Sequence, residues 1–201
     1  MYRMIPLLIF VICACDSSLL EKKVFPIHKH LLADSTEQFT IKHIADRFDF
    51  PIGKPDAKGY YNAQVFGKNN HLGDDWNAIT GGNTDLGDPI YAIADGYVTF
   101  CEDHGYSWGN VIRMTHYLPD GAKFESLYAH CDTILVEANN WVRIGDQIGT
   151  IGTADGMYSA HLHLEIRNKI NMPIGGGYSQ ITTGYVDPTH FINQHRVIVS
   201  D

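Results

Sequence analysis

Three short stretches carry residue types able to do chemistry. "HLHLEIR", residues 161 to 167, places two histidines at alternate positions of an apolar run. In a strand, residues two apart share a face. His161, His163 and Glu165 then point one way, and Leu162, Leu164 and Ile166 the other. The leucine face is the core face, and the histidine face must be polar, wet or metal-bearing. "HLGDD" sets His71 and Asp75 four residues apart across Gly73. "LYAH" ends a strand-like run on His130, with Tyr128 expected on the same side. Zinc takes imidazole nitrogen and carboxylate oxygen together. Two ligands from the His71 segment and one from the His161–His163 pair make three protein ligands. That leaves a position open for water, as in a catalytic rather than a structural site. Each stretch alone also fits a plainer origin. His161 and His163 read equally as satisfied core histidines, His71 as part of a polar loop, and His130 as a surface residue at a strand end.

The elements that must position these residues are short strands. From Phe50 onward, proline, glycine and asparagine recur roughly every eight to twelve residues. Between them lie "PIYAIA", "GYVTFC", "NVIRMTHY", "FESLYAH", "WVRIG" and "QIGTIG". "LPDGAKF" holds a Pro-Asp-Gly turn and predicts a hairpin. The expected fold is therefore mainly β: an antiparallel, barrel-sandwich-like catalytic domain with a short irregular N-terminal extension. Two Gly-Asp segments, "LGDPIYAIADGYV" and "RIGDQIGTIGTADG", echo each other as in barrel-sandwich folds, to which biotinyl and lipoyl carriers also belong. The turn "TADGMYSA" has no lysine to modify, which argues against a carrier. A helix signal starts at Ser35, with Gln38 completing a capping box and Ile41, Ile44, Ala45 and Phe48 on one face. "HKH" at 28 to 30 has a proline and charged residues around it and reads as solvated linker.

A hydrophobic content of 44% supports a real core, and a net charge of −8 with no basic stripe argues against a nucleic-acid partner. The chain begins "MYRMIPLLIFVICACDSS", with Arg3 before an apolar run too short to span a bilayer but right for a signal peptide. "ICAC" resembles a lipoprotein signal cleaved before Cys15, with lipid on its sulfur; a plain secretory signal is the alternative. The expected divisions are residues 1–14 as signal peptide, 15–49 as linker, 50–192 as catalytic domain and 193–201 as tail. The expected location is the periplasm or cell envelope, anchored to a membrane through Cys15. Asp16 resembles the inner-membrane retention signal of some Gram-negative lipoproteins. Cys101 and Cys131 read as unpaired thiols, with a bridge as the alternative.

The order His-x-Gly-x-Asp, "YAIADGYV", "LYAH", "VRIGDQIGTIG", "HLHLEIR" and a closing "VDPTHFI" resembles the lysostaphin-type zinc metalloendopeptidases, which are peptidoglycan hydrolases. The resemblance covers roughly residues 50 to 192. It implies one zinc ion per chain, held by His71, Asp75 and His163, with His161 and His130 as catalytic histidines. It also implies cleavage of the peptide cross-links of peptidoglycan. In a Gram-negative cell the target would be the D-alanyl to diaminopimelate bridge. The alternative is a relative without catalysis that binds and activates another wall hydrolase. Relatives of that kind usually lack some metal ligands, and here all five key residues are present. Glu165 does not form His-Glu-x-x-His and is expected to support a ligand or an ion pair. Asp74 is expected to point away from the metal. Tyr128, Trp76, Trp108 and Tyr158 are candidates for a substrate groove. Some relatives place a tyrosine shortly before the first ligand histidine, but the six residues before His71 hold none.

Overall fold

Strand pairing decides where every site residue sits. A computed structural model describes residues 39–197. The expected signal segment, Cys15 and the "HKH" pair lie outside the described residues. The strands are β1 (Tyr60–Gln64), β2 (Asp74–Ala78), β3 (Pro89–Tyr91), β4 (Gly96–Asp103) and β5 (Asn110–Tyr117). They continue as β6 (Lys123–Ile134), β7 (Trp141–Val142), β8 (Gln147–Ile151), β9 (Leu162–Arg167) and β10 (Tyr185–Val186). All pairings are antiparallel, in the spatial order β1-β2-β9-β6-β5-β4-β7. β8 pairs with both β3 and β6, and β10 with β9. The fold is mainly β, as expected, and the Pro-Asp-Gly turn joins β5 to β6, with Tyr117 opposite Lys123.

Alternating residues build a core on one side of the sheet. Val98, Ile112, Met114, Tyr128, Leu162, Leu164 and Ile166 all lie in it, fully buried. A smaller cluster on the other side contains Trp108, Val111, Leu127, Ala129 and Ile174. All six residues of β9 are buried, so both its faces are covered. The histidine face is therefore not wet: His163 is 3% exposed and Glu165 fully buried. Cys101 and Cys131 are free thiols.

The helix expected from Ser35 does not extend through the described part of that segment. Residues 39–50 have no regular secondary structure. Their amides bond across to other elements instead: Ala45 to Tyr117 O, Phe48 to His195 O and Asp49 to Ile93 O. Ala45 and Phe48 enter the core, while Ile41 and Ile44 stay exposed. Burial of two side chains against the sheet outweighs a weak local helix preference. "VDPTHFI" forms α1 (Pro188–His195), which Asp187 caps by accepting from the His190 amide, with Pro188 at the first position. No helix among the described residues is long and apolar enough to cross a membrane.

Candidate metal centre

The register of β2 against β9 sets Asp75 opposite His163. His71 arrives from the segment just before β2, which bridges to Tyr178. Gly73 permits this approach, because a Cβ there would collide with the Leu164 carbonyl and crowd the His163 ring. Three ligand atoms converge as a result. His71 Nε2 lies 3.0 Å from His163 Nδ1, which lies 2.9 Å from Asp75 Oδ1. His71 Nε2 and Asp75 Oδ1 are 3.3 Å apart. Ligand bonds of about 2.0–2.1 Å in a tetrahedron separate neighbouring ligand atoms by about 3.3 Å. Two imidazoles and one carboxylate at this spacing fit zinc. Among the described residues this is the one group of three with metal-ligand geometry.

Behind the metal-facing atoms, four histidines share one design. The His71 Nδ1–H donates to Gln64 O at 3.2 Å, and the His163 Nε2–H to Glu165 Oε1 at 3.3 Å. The His161 Nδ1–H donates to Ser159 O at 2.8 Å, and the His130 Nδ1–H to Trp108 O at 3.2 Å. Each outer acceptor fixes the tautomer, which leaves the inner nitrogen with a lone pair turned to the cleft. Glu165 is itself gripped by Arg167, whose Nε and Nη2 donate at 2.8 and 2.5 Å. Arg167 also donates to the carbonyls of Pro173 and Ile174.

His130 reaches the cleft by breaking strand alternation. Its φ is +62°, just before a register shift in β6. Ala129 and Leu127 face the small cluster and Tyr128 the main core, so regular alternation would send His130 into the core. The left-handed residue turns it toward His161 instead, with ring centroids 4.7 Å apart.

Charge in the cluster is held by its partners. Burial raises the Asp75 pKa, but hydrogen bonds from His163 and His71 outweigh it and hold the carboxyl well below the usual carboxylate range. Burial lowers the His163 pKa, and the bonds to Asp75 and Glu165 reverse that and raise it to about 9. A metal bound at His163 Nδ1 would compete with a proton there. Burial, then repulsion from His163 and His161, pushes His130 down to about 3.

The cleft walls are Trp108, Tyr158, Tyr178, Gln64 and the Gly176–Gly177 backbone. Trp108 and Tyr158 thus stand where a groove was expected, whereas Tyr128 and Trp76 do not. Tyr128 is fully buried, and its hydroxyl accepts from the Ile93 amide. Trp76 is one residue from Asp75 on β2, so it faces the opposite side and packs on Phe50. Asp74 shares that side and accepts from the Phe66 and Thr189 amides. The sequence reading missed Tyr178. Its ring lies 5.1 Å from that of His71, and Gln64 Nε2 donates to its hydroxyl at 3.3 Å. The one local signal is "GGGY": Gly175 and Gly177 both have positive φ, the mark of a backbone bent for a purpose.

Comparisons with known proteins give a family and a fold. The profile of Peptidase family M23 matches residues 70–175. Lipoprotein NlpD of Yersinia enterocolitica is 37% identical over 83 residues, which are 41% of this chain and 80% of that protein. Murein hydrolase activator NlpD of Escherichia coli strain K12 is 37% identical over 98 residues, 46% of this chain but only 24% of that protein. The chain thus spans about a quarter of the length of that relative. The structure of the antimicrobial peptidase lysostaphin from Staphylococcus simulans superposes with a TM-score of 0.52 at 22% identity, covering 68% of this chain and 50% of that one. That likeness speaks for the fold.

Proposed function

The chain belongs to peptidase family M23, and on that footing we propose that it is a zinc-dependent endopeptidase that hydrolyses peptide cross-links of peptidoglycan. One observation carries the reading. His71, Asp75 and His163 converge as ligands while His161 and His130 present two further inward nitrogens at the same cleft. His71 Nε2, Asp75 Oδ1 and His163 Nδ1 would hold a zinc ion, which when bound would supply Lewis acidity to a scissile carbonyl and to the attacking water. His161 Nε2, 3.8 Å from Asp75 Oδ1, takes the proton of the attacking water. His130, buried and with its proton on Nδ1, accepts a hydrogen bond from that water and aligns it. The protonated His161 then delivers its proton to the leaving amine. Glu165 keeps the His163 ring oriented, and Arg167 holds Glu165 in place through two hydrogen bonds in the interior. Trp108, Tyr158 and Tyr178 flank the peptide. The protein is exported and held at a membrane of the cell envelope by lipid on Cys15, a reading supported by the lipoprotein relative.

A second reading has its own support. Relatives named as murein hydrolase activators align with this chain, so a role in activating another wall hydrolase is the competitor. The complete set of His71, Asp75, His163, His161 and His130 favours catalysis. Digestion of purified cross-linked muropeptides with and without chelator, read by mass spectrometry, separates the two. Chelator-sensitive cleavage, retained metal and lost cleavage in His161→Ala are the expected results. Absence of any chelator-sensitive cleavage would move the reading to the activator.

A further inference from the structure

Trp108 touches no ligand atom through a polar group, yet it is bonded to both sides of the cleft. It ends a short 3₁₀ turn, Tyr106–Trp108, between Gly105 and Gly109. Its side chain is 7% exposed, seated among Val111, Leu127, Ala129 and Ile174. Its carbonyl accepts the His130 Nδ1–H at 3.2 Å. Its ring lies nearly parallel to the His130 imidazole, at 27° with centroids 6.3 Å apart, and edge-on to His163 at 5.4 Å. On the far side its indole Nε1–H donates to Gly175 O at 3.0 Å.

The segment so held is intrinsically loose. Gly175, Gly176 and Gly177 are consecutive, and two of them have positive φ. Such a run loses more backbone entropy on ordering than any other. Arg167 grips the carbonyls of Pro173 and Ile174, upstream of the glycines. Downstream, the Leu72 amide donates to Gly177 O and the Ser179 amide to Asn70 O. Gly175 is fixed by the indole. Packing adds to this, since a Cβ at Gly177 would lie 3.5 Å from the Trp108 ring. The segment leads into Tyr178, which stands over His71.

We propose that Trp108 is a positioning residue that couples His130 to the Gly175–Tyr178 wall, fixing the cleft between the histidine and Tyr178 through one carbonyl, one indole N–H and one ring face. It meets no reacting atom. The kinetic part of the proposal rests on the endopeptidase reading, whereas the clamp exists whether or not the chain cleaves anything. Loss of the indole N–H alone should loosen the wall and weaken substrate binding. Loss of the ring as well should also remove the face beside the His130 imidazole, whose Nδ1–H keeps the backbone carbonyl of residue 108, and so widen the range of His130 ring orientations and slow the chemical step.

The test compares the full-length chain with Trp108→Phe, which keeps a ring but no N–H, and Trp108→Leu, which keeps neither. Hydrogen exchange read by mass spectrometry is the first measurement. Peptides spanning 174–181 should exchange about five- to tenfold faster in Trp108→Phe, with β5, β6 and β9 unchanged and zinc content retained. Steady-state cleavage of a cross-linked muropeptide is the second. Trp108→Phe should raise KM by more than it lowers kcat, and Trp108→Leu should lower kcat by a further factor of about ten. Unchanged exchange in the 174–181 peptides of Trp108→Phe would overturn the proposal. So would exchange raised equally in the core strands, or identical losses of kcat and KM in both variants. If the wild-type chain cleaves nothing, the endopeptidase reading fails and the exchange measurement still decides the clamp.

Discussion

Two buried histidines on opposite sides of the sheet have the same side chain and contrary electrostatics. His163 is flanked by Asp75 and Glu165, and these two carboxylates hold its pKa up to about 9 despite burial. His116 is buried as deeply, but its partners are neutral. Its Nδ1–H donates to Asp95 O at 2.9 Å, and Ser126 Oγ lies 2.7 Å from its Nε2. With no carboxylate side chain at hydrogen-bond distance, burial pushes it down to about 4. His116 spends both nitrogens inside the fold, Nδ1 on Asp95 O and Nε2 in a network with Ser126 and Tyr128. His163 spends one on Glu165 and turns the other to a cleft shared with His71 and Asp75. Burial therefore does not tell a structural histidine from a functional one. What distinguishes them is whether the second nitrogen is consumed by the fold or left to converge with other ligand atoms.

The largest effect that bears on this contrast is Asp75→Ala. Removing one of three ligands should cost at least about a hundredfold in zinc affinity and about a thousandfold in kcat/KM, read by metal analysis after dialysis and by muropeptide cleavage. Metal content equal to wild type would show that the His163 side is no different in kind from the His116 side. Next comes Glu165→Gln, which leaves the fully buried Arg167 without its carboxylate. We expect a loss of about 3–5 kcal/mol in urea unfolding, and metal binding weaker by about tenfold.

His116 should show itself through pH. Its folded pKa of about 4 lies below the ordinary 6.5, so the unfolded chain binds the extra proton between those values. Its contribution to stability is complete above about pH 6.5 and is lost as pH falls toward 4, to a total of about 3 kcal/mol. His116→Gln should therefore flatten the fall in unfolding free energy between pH 7 and pH 4.5 relative to wild type, with zinc content unaltered. A wild-type slope in that variant would mean that His116 is not kept neutral. Smallest is Tyr128→Phe, which leaves the Ile93 amide without its acceptor. A cost of about 1–2 kcal/mol in thermal or urea unfolding is expected, with the metal site untouched.

The strands were legible because their apolar alternation and turn residues are local properties. The Pro-Asp-Gly hairpin and the Asp187–Pro188 helix start each follow from a few adjacent side chains. The grouping of His71, Asp75, His130, His161 and His163 came through the resemblance to a family, since no local rule joins positions some ninety residues apart. Elsewhere local rules misled. Alternation put Tyr128 and His130 on one side, and the positive φ of His130 undid it. Amphipathic spacing suggested a helix where residues 39–50 have no regular secondary structure and bond to other elements instead.

By itself, then, the sequence determined that the chain would form short antiparallel strands and which residue types were available to bind a metal and move protons. The tertiary structure alone decided which nitrogen of each histidine faces the cleft. That choice depends on acceptors supplied from elsewhere: Gln64 O, Trp108 O, Ser159 O and Glu165. It also decided that Tyr178 and Trp108 would wall the site and that Tyr128 would not. The physical reason is that a hydrogen bond or a ring contact is a property of two positions at once. Only the register of β2, β6 and β9 brings those positions together.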